Sequence, residues 1–148
     1  FNLFIEMIAS IKQRLPDVKA TLAGDGPEKE KLSALIKQQQ LTENITLVGE
    51  IPHPDLLKLM AGSKLLLHPS SYEGFSGVCQ EALAMGMQVI SFCRAMKEPI
   101  GQWHIVQDTE EGIQKTISLL SDTNPAQQPI IPFTIGHTAN QLMKLFDH

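Results

Sequence analysis

A chain of 148 residues, 43% hydrophobic and 19% charged, has the length of one domain and enough apolar material for a core. Its formal net charge is -4 and its Lys and Arg are scattered, which argues against nucleic acid or an anionic membrane surface as a partner. A small phosphorylated ligand stays open.

The first apolar pattern, Leu3, Phe4, Met7, Ile8, Ile11 and Leu15, recurs at helical spacing and stops at Pro16. It opens at Phe1 without a cap, so the chain is read as entering its fold in mid-element. Val18 to Ala23 predicts a strand, and Gly24-Asp25-Gly26-Pro27 a turn. Pro27 suits a helix start, with the helix running from Glu28 to Gln40. Strand Ile45 to Val48, a loop over Gly49 to Pro54 and a short helix from Asp55 to Ala61 follow. The pattern repeats with strand Leu65 to His68, polar loop Pro69 to Gly74, helix Gly77 to Met85 ended by Gly86, and strand Gln88 to Phe92. His104 to Val106 predicts a last strand, Thr109 to Leu120 a helix, Ser121 to Pro132 a Pro-rich connection and Thr134 to Phe146 a closing helix.

Strands alternating with helices over short connections predict a parallel sheet with helices on both faces. Cys79 and Cys93 each lie in an apolar run and fit neither a metal site nor a disulfide framework, so both are read as reduced, buried thiols. No run reaches the roughly 18 apolar residues of a membrane span, and no signal peptide is visible. The expected location is the cytoplasm.

Ligands of such sheets bind beyond the carboxyl ends of the strands. Three loops leave that edge: Gly24 to Pro27, Gly49 to Pro52, and Ser70 to Gly74. The segment from Pro69 to Gly86 is the most informative. Ser76 stands where an N-cap would, and the amides of Gly77 and Val78 would have no helical partner, so this helix end can receive an anion. An ordinary capped helix without a ligand is the alternative. Glu81 has nearly all apolar helical neighbours (Val78, Ala82, Leu83, Ala84, Met85), and a buried carboxylate needs a partner. Ligand hydroxyls, such as a ribose diol, would supply one. Solvent or an internal Arg or Lys would serve equally. Glu73, in the loop before the same helix, is either solvated or placed to bind sugar hydroxyls. Tyr72 flanks a donor sugar or simply packs, His68 reads as a structural histidine, and His53 borders a base pocket.

Glu73 and Glu81, in E-G-F-S-G-V-C-Q-E-A-L-A-M-G, resemble the signature of the retaining group 1 glycosyltransferases, which share the GT-B architecture of two Rossmann-like domains. The order of L-A-G-D-G-P-E from Leu22, I-T-L-V-G-E-I from Ile45, K-L-L-L-H-P-S from Lys64 and M-Q-V-I-S from Met87 is similar as well. The resemblance covers Phe1 to Phe92. It implies a nucleotide-sugar-binding domain over residues 1–148, truncated at its amino terminus, from the donor-binding half of a glycosyltransferase of the hexosyltransferase type. In that reading Glu73 is the catalytic-site residue, contacting hydroxyls of the transferred sugar, and Glu81 binds the ribose. Backbone amides near Gly77 and Val78 hold the diphosphate, Gly74, Phe75 and Ser76 are donor-binding residues beside them, Glu50 and Ile51 lie against the base, and Gly24 and Gly26 form part of the crevice wall. The resemblance implies retention through front-face departure, in which the leaving phosphate helps to activate the acceptor. Neither glutamate is then a nucleophile. It implies no cofactor and no metal.

Two departures qualify the resemblance. Relatives hold the diphosphate with an Arg and a Lys after the domain's first strand, and here that strand and that pair would precede Phe1. The Rossmann-like sheet is therefore expected to lack its first strand, leaving a slot in mid-sheet. After Phe92 the chain reads C-R-A-M-K-E-P, where Arg94 or Lys97 either reach a donor phosphate or an acidic sugar, or are solvated loop charges. The expected partners are a nucleotide sugar and the N-terminal half of the same parent enzyme, with this segment inactive alone. Relatives often build polysaccharides or lipid-linked glycans, so a parent held peripherally at a membrane is compatible. The competing readings are a GT-B-like binding module without catalysis, and another GT-B enzyme such as an epimerase or phosphorylase.

Overall fold

The computed structural model describes residues 1–70, 76–93, 99–123 and 128–132. Helix α1 spans Asn2–Lys12 and buries Phe4, Ile5, Met7, Ile8 and Ile11 as one stripe. It leads into strand β1 (Ala20–Ala23), helix α2 (Lys29–Gln38) and strand β2 (Ile45–Gly49). Asn44 secures this unit from below: its buried amide donates to Pro16 O at 2.9 Å and Val18 O at 2.8 Å, fixing the entry to β1. Helix α3 (His53–Ala61), strand β3 (Leu65–His68), helix α4 (Gly77–Ala84), strand β4 (Gln88–Ser91), strand β5 (Trp103–Ile105) and helix α5 (Thr109–Ser121) complete the order. The predicted closing helix over Thr134 to Phe146 lies outside the described residues.

The pairing is parallel throughout, as the alternating pattern requires. It falls into two sheets. Strands β1 and β2 pair from Ala20 opposite Ile45, with a register shift between Leu22 and Ala23. Strands β3, β4 and β5 form the second sheet, with Leu65 opposite Gln88 and Val89 opposite Trp103. Among the described residues, β1 and β3 each keep one edge without a neighbouring strand, and the two edges line a common slot. This is the predicted Rossmann-like sheet without its first strand.

Side chains alternate across the three-stranded sheet as strand geometry dictates. Leu65, Leu67 and Ile90 point into a core built on α1 and α5. Leu66, Val89 and Trp103 point the other way, into a second core with α3 and α4. The two-stranded sheet joins only the first core, through Ala20, Leu22, Ile45 and Leu47. Its opposite face presents Thr21, Thr46 and Val48 to solvent.

Buried polar groups on the second sheet find partners. Trp103 Nε1 donates to Ser91 Oγ at 2.8 Å, and His104 Nε2 lies 2.8 Å from Gln88 Oε1. Cys79 is buried, as predicted. Cys93 is only half-buried, because it sits on the loop after β4, where its thiol donates to Ser70 O at 3.3 Å.

Candidate donor-binding site

The carboxyl ends of the strands gather three of the predicted site segments. The first two meet through backbone. Gly24 N donates to Gly49 O at 2.7 Å, so the loop after β1 lies against the loop after β2. Gly24 holds φ 136 and Gly49 φ 69, conformations that side-chain-bearing residues rarely adopt, which is why this close approach uses glycine twice. Gly26 and Glu50 are exposed and Ile51 is half-buried.

The next link runs through side chains. His53 opens α3 directly after Pro52, and its Nε2 lies 2.9 Å from Glu81 Oε1 on α4. Of the alternatives for Glu81, partial exposure to solvent is found, and the expected basic partner is replaced. The short helix α4 buries Cys79, Ala82 and Leu83 on one face, while Glu81 rides its edge with a side chain 38% exposed. Its protein partner is an imidazole, neither an arginine nor a lysine. The carboxylate therefore keeps part of its hydration, in place of the full burial that its apolar sequence neighbours suggested.

At the start of α4, Ser76 occupies the cap position with extended backbone, as predicted, yet its buried side chain makes no cap hydrogen bond. The first intrahelical donor is Gln80 N, to Ser76 O at 3.3 Å, so the amides of Gly77 and Val78 precede the ladder. Gly77 is exposed, and open space surrounds the position where a Cβ would stand. Glu81 lies one turn further on, on the same side as Gly77 by the four-residue spacing. The geometry thus offers an anion-accepting helix end with a carboxylate one turn below it. Glu73, Gly74 and Phe75, together with Tyr72, Arg94 and Lys97, lie outside the described residues.

One basic group at this edge has no counterpart among the residues expected from sequence. Lys29 opens α2, its ammonium is 3.1 Å from Asp25 Oδ1, and a Cβ built on Gly49 would stand 3.4 Å from Lys29 Nζ. The four-residue spacing from Asp25 to Lys29 carried the signal. The His53–Glu81 contact had no such signal, since 28 residues separate the two.

Residues 1–128 match the family described as "Glycosyl transferases group 1". The chain belongs to the group 1 glycosyl transferases. A human phosphatidylinositol N-acetylglucosaminyltransferase subunit is 28% identical over 159 residues, an alignment covering 99% of this chain and 33% of that protein. The gpi3 subunit of the same-named transferase of Schizosaccharomyces pombe is 32% identical over 90 residues, covering 61% of this chain and 20% of the relative. The chain therefore spans a third or less of the length of these two relatives. Among solved structures, a Staphylococcus aureus TarM mutant in complex with Fondaparinux, alpha-GlcNAc-glycerol and UDP superposes with a TM-score of 0.80 at 21% identity, covering 99% of this chain and 32% of that one. The fold of this group 1 glycosyl transferase segment is thus a partial Rossmann-like domain of the GT-B architecture.

Among the described residues no helix is long and apolar enough to cross a membrane.

Proposed function

We propose that this chain is the donor-binding part of a retaining glycosyltransferase that takes its sugar from a nucleoside diphosphate. The observation that carries the reading is the placement of Glu81: a half-exposed carboxylate, steadied by His53, one turn below the open amino end of α4. A ribose diol can donate to the carboxylate oxygen that His53 leaves free, while the diphosphate meets the amides of Gly77 and Val78 and the positive end of the helix dipole. Glu50 and Ile51 flank the base, and Gly24 and Gly26 allow the ligand to approach the loop after β1. Glu73 contacts hydroxyls of the transferred sugar and is the catalytic-site residue. Lys29, beside Gly49, adds positive charge at the same edge.

Transfer itself proceeds with retention by front-face departure, in which a leaving-phosphate oxygen takes the acceptor proton. These residues bind and orient the donor, and the reading requires neither a metal ion nor a cofactor. Acceptor contacts belong to the other half of the parent enzyme, so the segment alone is inactive. The names of the relatives, and the UDP in the TarM complex, make uridine diphosphate and N-acetylglucosamine the first donor components to test. A lipid-linked or polymeric glycan fits as the acceptor class, and the cytoplasm, at a membrane surface, as the location.

Titration calorimetry of the 148-residue chain with UDP, GDP and ADP tests the reading. One diphosphate is expected to bind weakly, and Glu81→Gln to reduce that affinity at least tenfold, since a charge-assisted hydrogen bond contributes roughly 1.5–3 kcal/mol. Absence of binding by all three, with the chain folded, would sink the proposal.

A further inference from the structure

Glu81 is held at the rim of the site by a contact that folding does not need. The His53 and Glu81 side chains are 61% and 38% exposed, and pairs at that exposure contribute little to stability. Beneath them Leu56, Leu57 and Met60 of α3 pack with Cys79, Ala82 and Leu83 of α4, so the helices are already fastened by their apolar faces. The 2.9 Å contact between Nε2 and Oε1 sits on top of that joint. Its consequence is local: it fixes where one carboxylate oxygen points. Neither helix brings a lysine or arginine to Glu81, since α4 has none and Lys58, the one on α3, lies 2.8 Å from Asp55 Oδ1.

An ionised carboxylate only accepts hydrogen bonds, so His53 Nε2 is the donor and Glu81 Oε1 the acceptor. A glutamate side chain loses much rotamer freedom when a ligand fixes it. His53 removes part of that freedom beforehand and leaves Oε2 open, so two vicinal hydroxyls meet an acceptor already aimed. A site built to accept from hydroxyls discriminates strongly against an analogue that lacks them. His53 is itself held. Pro52 and Pro54 flank it and limit the backbone on either side. Pro52 O also accepts from Asp55 N at 2.9 Å and from Leu56 N at 3.0 Å. Only Pro52 separates His53 from Ile51, so one stiff segment joins the loop proposed for the base to the carboxylate proposed for the ribose.

We propose that His53 is a positioning and specificity-determining residue for the sugar of the nucleotide. Resting on the donor-binding reading, in which Glu81 meets the ribose diol, it makes the site select ribonucleoside diphosphates over their deoxy counterparts. A seated ligand excludes water from the pair and so strengthens a contact that solvent weakens in the free chain. The preference for a diol belongs to the His53–Glu81 pair and is lost when either member is removed.

The test is calorimetry of the 148-residue chain with UDP, GDP and ADP, each beside its 2′,3′-dideoxy analogue. The diphosphate that binds is expected to exceed its dideoxy analogue in affinity by about tenfold or more. His53→Ala should cut that preference to about twofold or less, with an unfolding midpoint within about 2 °C of the wild type. His53→Gln, whose amide can donate to Glu81, should keep most of the preference. On a Glu81→Gln background, His53→Ala should change neither affinity, because the effects of residues that act through one shared contact do not add. A His53→Ala chain that keeps the full preference overturns the proposal and leaves the donor reading standing. So does a fall in affinity by equal factors for both ligands. Absence of binding by every diphosphate, or a wild-type chain without preference for the diol, overturns both.

Discussion

On strand β5, His104 is half-buried, and its pKa is lowered from the ordinary 6.5, first by loss of surrounding water and then by Lys115. A lowered histidine pKa means that the folded state prefers the neutral ring. The stabilisation is present above the unfolded value and is lost as pH falls below 6.5 through the folded value. We expect the unfolding midpoint to drop between pH 7 and pH 5, and His104→Gln, which can still reach Gln88, to flatten part of that slope. A wild-type and variant pair with superimposable pH profiles would refute this. His104 carried no readable message in the sequence, because its ring is defined by Gln88, one strand away. Glu81 was legible as a residue needing a partner, and the partner's identity was not. Only the fold brings His53 to it.

Among the elements, those with strong local rules are legible nearly to the residue. Helix α5 shows why. Asp108 caps it, accepting from Glu111 N at 2.8 Å, while Glu111 Oε2 accepts from Gln107 N at 2.7 Å, a reciprocal arrangement close to a capping box. Asp108→Ala should cost about 1 kcal/mol, seen as a fall of about 2–4 °C in the unfolding midpoint. No change would show that the cap is idle. Strand β3 and helix α4 are equally legible, from a continuous apolar run and a terminal glycine; Gly86 indeed adopts φ 83. Helix α3 begins two residues before its expected start, because His53 and Pro54 look like loop and in fact form its first turn.

For the whole molecule, periodicity predicts parallel strands and helices on both faces. The separation into two sheets follows from the family resemblance, since strand order is a tertiary property that local pattern does not encode. What joins the halves is the first core: Ile5, Met7 and Ile11 are fully buried on α1, between groups contributed by both sheets. Ile5→Ala should therefore cost about 2–5 kcal/mol. It should also broaden the denaturant transition as the halves lose their coupling, whereas a sharp two-state transition with an unchanged midpoint would contradict this architecture. Gly112 on α5 marks how tightly that joint is packed, since an added Cβ would meet Met7 Cε at 2.8 Å.

The second core draws all its described members from residue 56 onward, so nothing apolar among the described residues ties the two halves on that side. Helix α1 therefore carries the apolar joint between the two sheets among the described residues. Strand β4 is buried at every position whereas β1 is not, so β1 amides should exchange with solvent sooner than those of β4.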